Sequence, residues 1–138
     1  QNEGIADMID KTEGYKQYYT YVMKEPDLAE VMVRLHNQAP EDLEKLQNFI
    51  LKYSKNEISE NEIIDEWIEI AKFNGHAIGF FMANQIEKAG YENEMLETFY
   101  KPYEFFVLYN RAAKELNIFQ LNDEFMDYLR SITKEYYR

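Results

Sequence analysis

Cysteine is absent from the 138 residues. That removes disulfides, thiolate nucleophiles and cysteine-ligated zinc together, and fits an exported chain as well as a cytoplasmic one. Histidine is nearly absent too: His36 and His76 are the two in the chain, and they do not form the i, i+4 pair with which one helix face grips zinc. Positive charge is scarce, with 15 basic residues scattered among 26 acidic ones for a formal charge of −11. A phosphate backbone would be repelled, so nucleic acid is not an expected partner. The longest apolar run, Ala77 to Ala83, is far short of the roughly 20 residues a membrane-spanning helix needs, and no basic amphipathic face suggests interfacial binding. No membrane partner is expected. A glycine-rich phosphate loop and a Gly-x-Ser-x-Gly elbow are also missing, so phosphoryl transfer and the commoner nucleophilic hydrolyses lack their parts.

Glycine and proline are few, five and three, and the apolar residues recur mostly at spacings of three and four, the period of helices joined by short turns. The length suits one domain over residues 1–138, with a core that buries well over half of the unfolded surface. The fold predicted is all-α, a compact orthogonal bundle of about seven to eight helices. A short helix over Glu3 to Asp10 is followed, past Gly14, by a tyrosine-rich helical segment containing Tyr15, Tyr18, Tyr19 and Tyr21. Pro26 opens a helix to about His36; Asn37 to Ala39 turn; Pro40 opens another to about Lys55, with Leu43, Leu46, Phe49, Ile50 and Tyr53 inward. Ser59 and Glu62 form a capping box ahead of Ile63, Ile64, Trp67, Ile68 and Ala71. His76 to Lys88 is apolar almost all round, the mark of a central helix, with Gly79 allowing a neighbour to approach closely. Gly90 caps it, a shorter helix runs from Glu92 to about Tyr100, and Pro102 opens another that Asn117 to Leu121 interrupt. Asn122 caps a last helix that buries Phe125, Met126, Leu129, Ile132 and Thr133.

Carboxylates are plentiful, but Asp7 and Asp10, Glu41 and Asp42, Glu60 and Glu62, and Asp65, Glu66 and Glu69 mostly occupy the polar sides of these helices, the place of solvated groups. The tyrosines have two readings: half-buried rings with hydroxyls in solvent, or the lining of a binding groove. More specific are Asn2-Glu3-Gly4-Ile5-Ala6-Asp7, the stretch Asn74 to Ala83, Ile86 to Gly90, and Pro102 to Asn110. In order and spacing they resemble the C-terminal portion of bacterial zinc-dependent peptidases of the gluzincin type, in which an H-E-x-x-H helix precedes a second helix reading Glu-Gly-(Ile/Leu)-Ala. The resemblance covers nearly the whole chain. It implies that Glu3 is the third zinc ligand, with Gly4 and Ala6 allowing close helix approach, and that His76 donates to the oxyanion of the tetrahedral intermediate. His76 can equally be a hydrogen-bonded core histidine.

The H-E-x-x-H helix itself does not occur in this sequence. Catalytic zinc takes three protein ligands plus an open position for water, so a lone glutamate does not hold it. The resemblance therefore implies a fragment of something larger: a helical subdomain, inactive alone, whose zinc would bind only with an upstream H-E-x-x-H-bearing segment of the same protein, and whose substrate is a peptide or protein. Such a subdomain should expose an apolar patch, through which it could form a homodimer. The rival expectation is a non-catalytic helical domain that binds a protein partner through its acidic surface or tyrosine-rich segment.

Overall fold

The computed structural model describes residues 2–11 and 14–134, with the backbone alone at positions 2, 3, 10 and 74. Among these the chain is all α and contains no strand: α1 Asn2–Asp10, α2 Tyr15–Gln17, α3 Pro26–Ser54, α4 Glu60–Ile70, α5 His76–Lys88, α6 Glu92–Glu97, α7 Pro102–Leu116 and α8 Asp123–Thr133. A π-helical turn, Tyr18–Val22, continues α2, and a 3-10 turn, Lys72–Gly75, joins α4 to α5.

Local chemistry sets most of these boundaries. Ser59 caps α4: its hydroxyl accepts from the Glu62 amide while its own amide donates to the Glu62 carboxylate at 2.8 Å, so two orphan donors are satisfied reciprocally. Asn122 caps α8 by accepting from the Phe125 amide at 2.8 Å, and Pro102 stands in the first turn of α7, where its missing N–H costs nothing. Between α7 and α8 the chain turns through Asn117 at φ +53°. The Asn110 side chain then clamps both backbone groups of Leu121, at 2.9 and 2.8 Å, and the buried Gln47 accepts from the Asn122 amide at 2.6 Å, tying α8 to α3.

α5 is the central helix. Ala77 to Ala83 are buried without a break, Gln85 and Ile86 with them, and α1, α3 and α7 surround it.

The break expected between Asn37 and Ala39 does not occur: α3 is one helix of 29 residues with Pro40 inside it. An interior proline forfeits one i→i−4 hydrogen bond, a cost of about 3 kcal/mol. Against that, Met32, Leu35, Ala39 and Leu43 form one buried stripe that runs straight past Pro40 into the core. Continuing the helix keeps that stripe in register, so tertiary packing overrides the local signal. One further expectation needs correction: Ile132, assigned to the buried face of α8, is exposed. α4 turns Ile64, Trp67 and Ile68 outward, holding to the body through Ile70 and the Ala71 that follows it. The terminal Tyr136 and Tyr137 lie outside the described residues.

Candidate functional site at the crossing of α1 and α5

α1 meets α5 through two glycines. A Cβ on Gly4 would fall inside the van der Waals radii of the Gly79 backbone carbonyl, and one on Gly79 would come within 3.0 Å of the Gly4 Cα. The backbones are thus in contact, as the sequence led us to expect for Gly79. Ala6 takes no part, since it faces solvent. The crossing fixes what meets on either side of it. Asp7 lies three residues after Gly4 and His76 three residues before Gly79, and the Asp7 Oδ2 accepts a hydrogen bond from the His76 Nδ1 at 3.0 Å.

Asp7 is 3 % exposed, which overturns its assignment to a solvated helix face. A carboxylate that deep must have donors on its oxygens and a compensating charge. It has both. Lys11, one turn on and also buried, ion-pairs with Oδ1, while the Tyr15 hydroxyl donates to Oδ2 at 2.8 Å. Burial, and next the hydrogen bond to Asp7, push the Tyr15 hydroxyl well above the ordinary tyrosine range, so that it stays a donor. The Lys11 ammonium also lies 4.7 Å from the centre of the Tyr18 ring, a cation–π placement. With Asp7 accepting at Nδ1, that nitrogen of His76 carries the proton, which fixes the ring orientation.

The signal for Asp7 is present in the sequence, in retrospect: Asp7 and Lys11 are an i, i+4 pair set among Gly4, Ile5 and Met8 on the buried side of α1. An acidic residue is read as solvated unless its position on the apolar stripe is weighed first. The tyrosine-rich segment divides along similar lines. Tyr15 joins the polar cluster, Tyr18 and Tyr19 are half-buried, and Tyr21 is exposed. A groove of about 570 Å³ beside this segment is lined by Lys16, Thr20, Val33 and Arg34 and by none of the tyrosines.

Glu3 stands on α1 one turn before Asp7, so the two positions share a face of the helix. The Glu3 side chain lies outside the described part of the chain. Among the described residues no group of three or more His, Asp or Glu side chains could hold a metal ion, and the Asp7 carboxylate is already engaged by Lys11, Tyr15 and His76. The residues described here do not fit a zinc site on their own. The other histidine, His36, is elsewhere: its ring packs among Tyr15, Phe80 and Phe81, with centroids 5.9, 5.1 and 6.0 Å away. Its Nδ1 is buried without a hydrogen-bond partner. Burial, with a smaller contribution from Lys88, holds it below the usual histidine range, so His36 serves the core as a neutral ring.

The α1–α5 crossing, with Asp7 and His76, falls within a stretch that comparison with known families picks out. Residues 1–118, all of α1 to α7, match the family described as "Putative zinc dependent peptidase (DUF5700)". The chain belongs to this family. The match ends within the turn after α7, so α8 lies beyond it. No curated protein and no solved structure matches the chain. Among the described residues no helix is long and apolar enough to cross a membrane.

Proposed function

We propose that this chain is the helical C-terminal portion of a zinc-dependent peptidase of the gluzincin type, supplying one zinc ligand, Glu3, and one wall of the substrate cleft. An upstream H-E-x-x-H segment of the same protein supplies the other ligands and the general base, and the chain is inactive alone. The observation that carries this reading is the glycine crossing, which sets the Glu3-bearing helix against the one that begins with His76, in a chain whose family is described as a zinc-dependent peptidase. His76 is the residue that acts on substrate. Its Nδ1 is held by Asp7 at 3.0 Å, and the ring so oriented donates to the oxyanion that forms as the scissile carbonyl becomes tetrahedral. Asp7 is the residue that positions it.

Zinc content tests this. The polypeptide extended upstream through the H-E-x-x-H segment is expected to hold one zinc per chain, its Glu3→Gln variant to lose most of it, and the 138-residue chain to hold none. Full zinc in the Glu3→Gln variant would remove Glu3 from the ligand set. A metal-free, inactive extended protein would favour the rival reading of a non-catalytic interaction domain.

A further inference from the structure

α4 departs from the rest of the bundle. Its capping box makes it a formed helix, yet Ile64, Trp67 and Ile68, at i, i+3 and i+4, are 56, 44 and 61 % exposed. Three large apolar side chains in one stripe of a helix form a contiguous patch, whereas scattered single exposures would need no explanation. The stripe also leads inward. Trp67 lines a cleft of about 120 Å³ with Leu43, Leu46, Met82 and Phe105, room for one aliphatic anchor side chain.

The charges around the stripe restrict what covers it. α4 carries Glu60, Glu62, Asp65, Glu66 and Glu69 and no lysine or arginine. Glu62 is committed to the cap and Glu69 has Lys72 at 3.8 Å, whereas Glu60, Asp65 and Glu66 have no ion-pair partner among the described residues. On the α3 side Lys45 and Lys52 line the adjoining groove together with Asp65 and Glu66, but Lys45 pairs with Asp42 at 3.1 Å and no ion pair crosses to α4. Glu60 precedes Ile64 by one turn and Asp65 precedes Ile68 by three residues, so carboxylates border the apolar stripe. A second copy of this helix would bring like charges together, and an anionic surface would be repelled.

We propose that the outer face of α4 docks a cationic amphipathic helical segment of a partner protein. Its apolar stripe lies along Ile64, Trp67 and Ile68, one aliphatic side chain enters the cleft beside Trp67, and its lysines or arginines meet Glu60, Asp65 and Glu66. This surface does not depend on the peptidase reading.

Trp67 is the single tryptophan of the chain, so its fluorescence reports on this face alone. The 138-residue chain is titrated with a synthetic helical peptide carrying leucine at i, i+3, i+4 and i+7 and lysine at its flanks, and with a second peptide in which glutamate replaces every lysine. The lysine peptide is expected to shift Trp67 emission to the blue in a saturable way, and the glutamate peptide to leave it unchanged. An Ile64→Ser, Ile68→Ser double variant and an Asp65→Asn, Glu66→Gln double variant, both of unchanged helicity by circular dichroism, should each weaken binding at least about tenfold. Raising salt should weaken it for the wild type. Four results would overturn the proposal: no shift with the lysine peptide, equal response to both peptides, emission of the chain alone that shifts with its own concentration, or a Trp67 already shielded in the upstream-extended polypeptide.

Discussion

At the scale of single residues, Asp7 sets the terms. Its carboxylate compensates a buried lysine, accepts from a tyrosine and orients a histidine, so removing its charge strands Lys11 as an unpaired buried cation. Breaking a buried pair from one side costs about 3–5 kcal/mol, much more than the pair is worth against an apolar replacement. Asp7→Asn should therefore lower the unfolding free energy by about that much in urea titration, and Asp7→Leu combined with Lys11→Met should recover a large part of the loss. A change below about 1 kcal/mol in the single variant would mean that Asp7 is not buried in its charged form. His36 carries a second prediction. Its folded-state value lies below the ordinary 6.5, so between those two values the unfolded chain binds more protons than the folded one, and stability falls as pH drops through that window. His36→Phe removes this proton uptake. The urea midpoint of the variant should gain on that of the wild type as pH is lowered from about 7 to about 5, whereas a constant difference would contradict the assignment.

At the scale of elements, the glycine crossing is the feature on which the candidate site depends. An alanine at Gly4 has nowhere to put its methyl group, because the obstacle is the Gly79 backbone; at Gly79 the contact is tight but less severe. Overpacking of this kind costs about 1–3 kcal/mol, occasionally more, and opposes the roughly 1 kcal/mol that alanine gains over glycine inside a helix. Gly4→Ala should be the more destabilising of the two in thermal unfolding, and should also disturb the His76 ring signals in NMR spectra, because the Asp7–His76 contact rests on the same approach. Gly79→Ala proving the worse would contradict the packing described. Helix starts were legible in the sequence wherever a side chain or a proline marks them, as Ser59, Pro102 and Asn122 do, because capping is local chemistry. The continuity of α3 through Pro40 was not, since it depends on a core stripe assembled from distant helices. Burial of Asp7 was legible in part, from its place with Lys11 on the apolar side of α1, but the Tyr15 and His76 contacts that complete its surroundings depend on what packs there. The outward turn of Trp67 shows the converse, an apolar residue that local pattern alone would place inside.

At the scale of the whole molecule, α5 is the hub, buried along Ala77 to Ala83 and enclosed by α1, α3 and α7, and the family match spans this hub and everything before it. The proposed catalytic site lies where α1 meets α5, and the acidic, apolar-striped face of α4 is the second proposed surface, with its own chemistry. Glu3, His76 and the proposed upstream segment belong to one site only if they act together. The most direct measurement is steady-state hydrolysis of a peptide substrate by the upstream-extended polypeptide, alongside its Glu3→Gln and His76→Phe variants, with zinc content determined on the same samples. The account predicts that Glu3→Gln loses zinc and activity together, and that His76→Phe keeps its zinc but loses about 10²–10³ in kcat with KM little changed, the cost of one oxyanion donor. Unchanged kcat in His76→Phe, or full activity in Glu3→Gln, would contradict it.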